Sequence, residues 1–395
     1  MRIILPVLSL LITIASVGID LTRPQSRGTL CSWGLCRSDQ MFASIDAQGI
    51  TPASMGMLLD QDSSNPLVWC SYAQALEREG KIPQASAVFD RAILLGPNMP
   101  PVLMRAANFS FAHGRRPQAW SLSRRILDRT SAFDQILFSY LNAGDASTLE
   151  FLGTAIPATP RAARAWLSWL RVGGSDQAVI QTWGWMKQNG LCDRPSAVEA
   201  AWTLWERHSF PAAQQVWIDW LGPKAGDYRH PQQLANWQFQ SEPQGGPFDW
   251  SLDAPDPVVV SRNNGLEIRF QGTENVVLNH IRQTAVLRPG RYRFSAEVQS
   301  DGLTTDQGLF FHIFDPIHAG ILEVKTPQVR GTVRRSQITA EISVSPATQA
   351  VMVELERQAS ERFDNKINGT LHIYQVSLLP DTMNHPTIVA AEKAR

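Results

Sequence analysis

The chain has 395 residues, of which 44% are hydrophobic and 18% charged. This is the composition of a folded protein of two or three domains and excludes a disordered chain. Lys plus Arg and Asp plus Glu both number 36, so the formal net charge is zero, and without a broad basic field nucleic acid is excluded as a partner.

At the N-terminus, Arg2 precedes an apolar run from Ile3 to Ile19 that Asp20 ends. Its 17 residues reach the lower edge of a membrane span of about 17–25 residues. Ser16-Val17-Gly18 would equally serve as the small residues before a signal-peptide cut. Residues 1–21 are expected to be a signal anchor or a signal peptide, with a buried core helix as the third reading. Both export readings place the rest on the periplasmic or extracytoplasmic side of a cell envelope, membrane-anchored or secreted. Residues 22–60 read as a linker, in which Cys31 and Cys36 of "CSWGLC" could close a small disulfide loop. Cys70 sits in an apolar helical pattern and reads as a buried free thiol. No cysteine spacing matches a zinc site, and no metal is expected.

Residues 61–222 read as helical repeats. In "PLVWCSYAQALEREGKIPQASAVFDRAILLGPNM", residues 66–99, Trp69, Tyr72 and Phe89 are large and Ala73, Ala85 and Ala92 small, at positions where two helices meet. Gly80 ends the first helix and Pro83 suits the first turn of the second. A shift of 34 restores the pattern: Ala73 becomes Ala107, and Gly80, Pro83 and Ala85 become Gly114, Pro117 and Ala119. Residues 133–158 read as an irregular pair, and 159–222 as two degenerate pairs, in which Trp166 and Trp169 recur as Trp202 and Trp205. This stretch resembles the tetratricopeptide family, whose 34-residue unit is a helical hairpin that buries its apolar face on the next. The resemblance implies a solenoid that docks a protein partner. Nine of the thirteen tryptophans lie between Trp120 and Trp220. Pairs at i and i+3 on helices read as core before they read as a ligand groove.

After a linker at 223–235 the period changes from helical to two. "RYRFSAEV" alternates Tyr292, Phe294, Ala296 and Val298 with polar residues, which puts one face on a core. Strands are expected near 265–271, 276–287, 291–299, 309–314, 336–344, 350–356 and 370–378, separated by "NNG", "RPG" and "SDG" turns, as in a β-sandwich. The order "GPFDW", "GLEIRFQG", "IRQTAVLRPGRYRFSAEVQSDG", "GLFFHIF" and "INGTLHIYQVSLLP" resembles carbohydrate-binding modules of the galactose-binding-like jelly-roll type over residues 236–380. The closing strand lacks that family's Asp-Asp pair, so a family-like metal site is not expected. Residues 381–395 read as a flexible tail. The expected fold is thus multidomain α + β: N-terminal anchor, α-helical solenoid, C-terminal antiparallel jelly roll.

A sugar site needs an aromatic platform and planar polar groups. The candidates are Trp250, at one end of a groove, and Phe310, His312 and Phe314, which share one face of "LFFHIF" while Phe311 and Ile313 share the other. Arg282 and Gln283 could supply donors. Each also has a structural reading, as a core aromatic or a satisfied histidine. Exposure of Trp250, His312 and Phe314 in a groove would favour sugar, and burial of all three would favour a sandwich that only docks protein.

No Gly-x-Ser-x-Gly elbow, phosphate loop, dinucleotide glycine set or His-Glu-x-x-His occurs, and no cofactor is expected. Asp315 and His318 are the most enzyme-like neighbours, in an Asp-Pro turn. A glycoside hydrolase would need two carboxyls across a cleft. The combination of anchor, repeats and sugar-binding-like sandwich resembles accessory proteins of bacterial exopolysaccharide assembly and export. The resemblance implies a non-catalytic adaptor that binds a polysaccharide and a protein; the alternative is a pure scaffold. The chain is expected to fractionate with membranes, and removal of residues 1–21 to release it. Full-length protein in the soluble cytoplasmic fraction would overturn the export reading.

Overall fold

The computed structural model describes residues 51–229 and 234–381. The expected anchor or signal peptide, the Cys31–Cys36 loop and nearly all of the tail lie outside these residues. Among the described residues no helix is long and apolar enough to cross a membrane. The chain divides into two compact units, 1–162 and 163–395.

The first unit is helical. α1 (Pro52–Gln61) falls inside the stretch expected to be a linker. Its start is written locally: Thr51 and Ser54 cap it reciprocally and Pro52 opens the first turn. Met55 and Leu58 pack against Val68 and Ala75 of the next helix. Two hairpins follow, α2 (Pro66–Arg78) with α3 (Ile82–Leu95), and α4 (Pro100–Ala112) with α5 (Arg116–Leu127). Gly80 and Gly114 take φ of +74° and +68°, which lets the amides of Lys81 and Arg115 close on the carbonyls of Leu76 and Ser110 at 2.9 and 2.8 Å. This six-residue closure needs a left-handed residue, hence glycine. Ala73 and Ala107 are both fully buried, as the repeat register requires. Across the repeat, Arg105 donates to the Ser71 hydroxyl, and Phe89 and Phe109 meet at 4.9 Å. Cys70 is a buried free thiol, and burial raises its pKa to about 11. The irregular pair is α6 (Asp134–Ala143) and the single turn α7 (Thr148–Phe151). The unit boundary lies within α8 (Pro160–Gly173).

The second unit joins helices to the sandwich, so its boundary is not the change of composition near residue 222. α9 (Asp176–Gln188), α10 (Arg194–Glu206) and α11 (Phe210–Leu221) continue the helical pairs. At the turn between α10 and α11 the left-handed position is His208, at φ +63°, and the Ser209 amide closes on the Leu204 carbonyl at 2.8 Å. Trp166, Trp183 and Trp217 are core. The stretch expected to be a linker begins with a 3-10 turn (Gly222–Arg229) and ends with Leu234 and Ala235 buried.

All strand pairs are antiparallel. One sheet runs β1 (Ser251–Leu252), β4 (Leu278–Ala285), β9 (Val351–Arg357), β6 (Phe310–Phe314), β7 (Glu323–Lys325). The other runs β2 (Val259–Arg262), β3 (Leu266–Gln271), β10 (Asn368–Pro380), β5 (Gly290–Leu303), β8 (Gly331–Val344). The expected seven strands are present; β1, β2 and β7, each four residues or fewer, are too short to show a period. Tyr292, Phe294, Ala296 and Val298 of β5 all enter the shared core, where Phe294 meets Phe311 at 5.0 Å. At one end Arg357, fully buried, donates to the Val276 and Gln307 carbonyls and the Thr305 hydroxyl, tying the β3–β4 and β5–β6 loops to the end of β9.

Two substitutions test this packing. Ala73→Leu is expected to cost about 1–3 kcal/mol by overpacking α2. Phe294→Ala should cost about 3–5 kcal/mol through the cavity between the sheets. Denaturant titration of each variant checks both, and tolerance of Leu at 73 would mean that the repeat register is wrong.

Candidate functional site

Strand register assembles a row of side chains on the outward face of the first sheet. Ser251 stands opposite Arg282, Arg282 opposite Glu354, Glu354 opposite His312, and His312 opposite Lys325. The next row holds Thr284, Met352, Phe314 and Glu323. Four of the candidates named from sequence, Arg282, Phe310, His312 and Phe314, therefore share one face, and Phe311 and Ile313 point into the core.

This face is polar, yet its middle is shielded. Glu354 is 6% exposed although it points away from the core. Desolvation raises its carboxyl pKa, the like charge of Glu356 adds to the shift, and Arg282, His312 and His280 oppose it. Glu356 Oε1 and His312 Nδ1 share a hydrogen bond of 2.6 Å. His312 Nε2 is buried without a hydrogen bond; Glu323 lies 3.5 Å away, an ion-pair distance only. The His312 ring rests on Phe314 at 4.5 Å, and the Lys325 ammonium stands 5.9 Å from the centre of Phe310.

At its β1 end the row enters a cleft of about 400 Å³. Arg282, Thr284 and Met352 line it from the sheet, Trp202 and Trp205 from α10, and residues between Pro243 and Asp253 from the strap that runs into and just past β1. The strap is held at several points. Gln283 Nε2 donates to the carbonyls of Ala235 and Phe248 at 3.0 and 2.9 Å. Asp249 accepts from the amides of Gly245 and Gly246 and from the Tyr228 hydroxyl. Arg194 donates to Gln244 O at 2.8 Å, Trp202 Nε1 to Gly245 O at 3.3 Å, and Trp205 Nε1 to the Thr284 hydroxyl at 3.3 Å. A Cβ on Gly246 would meet the Trp217 ring at 2.3 Å, so only glycine fits there.

Two expectations change. Trp250 and Phe310 are each only 4% exposed, so neither is an open platform. Trp250 packs on Phe239 at 5.0 Å within the sandwich core. The exposed ring at the cleft is instead Trp202, at 37%, one of the tryptophans read as core. Gln283 is a structural donor through its Nε2. Its Oε1 and Trp250 Nε1, both from residues lining the cleft, are buried and without a partner. The assignment of the Gln283 amide is secure, because both of its partners are carbonyls and only the NH₂ can serve them.

The sequence reading missed Glu354, Glu356 and Trp202. The alternation Val353, Glu354, Leu355, Glu356 signals an outward pair, but that they meet His312 and Arg282 depends on partners over 40 residues away in register. Asp315 and His318, the most enzyme-like neighbours in the sequence, meet within a turn. Burial works to raise the Asp315 pKa, and hydrogen bonds from the amides of His318 and Ile317 and from the Thr348 and His318 side chains together hold the carboxylate low; the amide bonds, with His318 Nδ1 at 3.2 Å, close a turn. Among the described residues no cluster of three His, Cys, Asp or Glu could hold a metal.

No family model matches the chain, and no curated protein matches it in sequence. Solved structures similar to parts of it include YrrB, a TPR protein with an unusual peptide-binding site, at 14% identity over 45% of this chain and 96% of that one, with a TM-score of 0.24. A CBM4 structure is 16% identical over 37% of this chain and 99% of its own, at 0.28. TmCBM61, solved with β-1,4-galactotriose, is 14% identical over 38% and 97%, at 0.27. Likeness at this level carries no argument about what the chain binds.

The raised pKa of Glu354 gives a signed expectation. Below the ordinary glutamate value, about 4.3, the carboxyl is protonated folded and unfolded, and ionisation above it costs folded stability. Glu354→Gln should therefore raise the unfolding temperature near pH 7, and the gain should vanish below about pH 4. A pH series of thermal unfolding checks this; a loss of stability at neutral pH would show that the charged form is the one the face favours.

Proposed function

We propose that the chain is a non-catalytic adaptor of a cell envelope, which holds a polysaccharide on its sandwich and a protein on its helical repeats. The observation that carries the sugar reading is the cleft at Arg282. An exposed indole, Trp202, lines it together with Arg282, Ser251 and Asp253. An aromatic face meets the C–H face of a pyranose, and guanidinium, carboxylate and hydroxyl groups bond its hydroxyls. His312, Glu356 and Phe314 extend the same polar and aromatic character along the face.

A groove in the first unit supports the protein arm. Asn108 of α4, Trp120 of α5 and Tyr140 of α6 line a cavity of about 470 Å³, together with Phe111. Asn108 Oδ1 is buried and unpartnered, as an acceptor for the backbone N–H of an extended segment would be. The apolar run at Ile3–Ile19 supports the envelope placement, and the pairing of repeats with a sugar-binding-like sandwich supports a role in exopolysaccharide assembly or export. Glu354 and Glu356 sit side by side on one strand, whereas a glycosidase places its carboxyls on both sides of the scissile bond.

The test is calorimetric titration of the full chain with the polysaccharide made by its own host. Binding in the millimolar to micromolar range of repeating unit is expected. Arg282→Ala should weaken it roughly 10- to 100-fold, since bonds to a charged group are worth about 1.5–3 kcal/mol each. Absence of binding at millimolar repeating unit, with the protein folded, would leave the pure scaffold as the function.

A further inference from the structure

We propose that the outer edge of β8 is an interface, and that it pairs antiparallel, about a two-fold axis, with β8 of a second copy of this chain. Each sheet of the sandwich has two edge strands. Three of these four are short: β1 has two residues, β7 three and β2 four. The fourth, β8, has 14. A short edge offers little to another chain, whereas a long one is a template for a further strand.

Most of β8 lacks the features that blunt an edge. Its register with β5 is unbroken from Ser336 to Val344, and the irregularity falls at residues 334–335, before that run. The run holds no proline, and Glu341 is its only charge. In a strand every second residue turns its N–H and C=O away from a given neighbour. On the side away from β5, no backbone hydrogen bond among the described residues reaches 336–344. The core-side residues Ile338 and Ala340 are only partly buried, whereas Phe294, Ala296 and Val298 of β5 are fully so. An added strand would pair the first set of groups and cover the second.

The side chains select a second copy. Gln337 stands opposite Glu297 and Glu341 opposite Arg293, on the face away from the core. Arg335 shares that face: its guanidinium bonds Glu297 at 2.7 and 2.9 Å and lies 4.0 Å from the centre of the Tyr374 ring. Arg335 and Glu341 are both exposed and lie equally far from Ile338 along the strand, on either side of it. A two-fold axis at Ile338 therefore sets Arg335 of each copy opposite the partner's Glu341. Gln337 meets the partner's Thr339, and the two Ile338 side chains meet on the core side. Opposite charges at directly paired positions stabilise a sheet, and like charges oppose it. A foreign segment would have to match this pattern; a second copy carries it by symmetry, and the two-fold closes the assembly at two chains.

The test is sedimentation of the full chain over a dilution series in a mild non-ionic detergent, with hydrogen exchange read at each concentration. A dimer is expected, in which amides of 336–344 are protected and become exchangeable on dilution while those of β1, β2 and β7 do not change. A chain that stays monomeric at its highest soluble concentration overturns the proposal. A dimer whose dissociation leaves 336–344 unchanged is held elsewhere and overturns it too. So does protection of 336–344 that is independent of dilution, since the edge is then paired with another segment. Glu341→Arg, at an exposed position, sets an arginine opposite the partner's Arg335 at both ends of the pairing and should weaken the dimer about tenfold or more. Ile338→Lys, which places a charge on the axis, should abolish it. Thermal unfolding confirms that each variant is folded; if Ile338→Lys is not, Glu341→Arg decides alone. A folded Glu341→Arg dimer as tight as the unsubstituted one overturns the pairing.

Discussion

The side-chain amide of Gln283 is the bond on which the site depends. Its NH₂ group holds the carbonyls of Ala235, ahead of the strap, and of Phe248, within the strap that lines the cleft. A buried amide donating to two carbonyls leaves neither without a partner, which in a desolvated place would cost about 1–3 kcal/mol each. Around Phe248 the chain makes the tight turn that Asp249 closes on the Gly245 and Gly246 amides, and it fits Gly246 under Trp217. Helix α10, the strap and strand β4 then meet around one volume. The Gln283 bonds add to the anchors that Arg194, Trp202 and Tyr228 give the same strap.

The electrostatics of the outward face follow from its position in the sheet. β9 is central, flanked by β4 and β6, so Glu354 is shielded by neighbouring rows although it faces away from the core. Its charge is accommodated by Arg282 on one strand and His312 on the other, while Glu356 engages His312 directly. Such an arrangement stores no great stability, because a shielded carboxylate loses hydration that its partners only partly replace. What it provides is a fixed set of donors and acceptors on a rigid floor, the condition for discriminating one hydroxyl pattern from another.

The helical turns show how far a local rule reaches. Gly80, Gly114 and His208 occupy the same left-handed corner between paired helices. Glycine reaches it without strain, and histidine is among the few residues that tolerate it. The geometry of the hairpin thus persists where the sequence motif has decayed, because the six-residue backbone closure and the small residues of the helix interface impose it.

The sequence by itself determined the elements. Helical pairs with Gly80 and Gly114 corners, the buried Ala73 and Ala107, and seven strands with Phe294 inward were all legible, since turn chemistry and hydrophobic period act over a few residues. The face of β6 that carries Phe310, His312 and Phe314 was legible for the same reason. Tertiary structure alone decided which of these residues meet. Trp250 became core where it packs on Phe239, and Trp202 became a ring of the cleft where the strap approaches α10. Glu354 joined Arg282 and His312 through the register of strands far apart in the chain. Such register is set by the summed packing of both sheets, and no short stretch of sequence contains it.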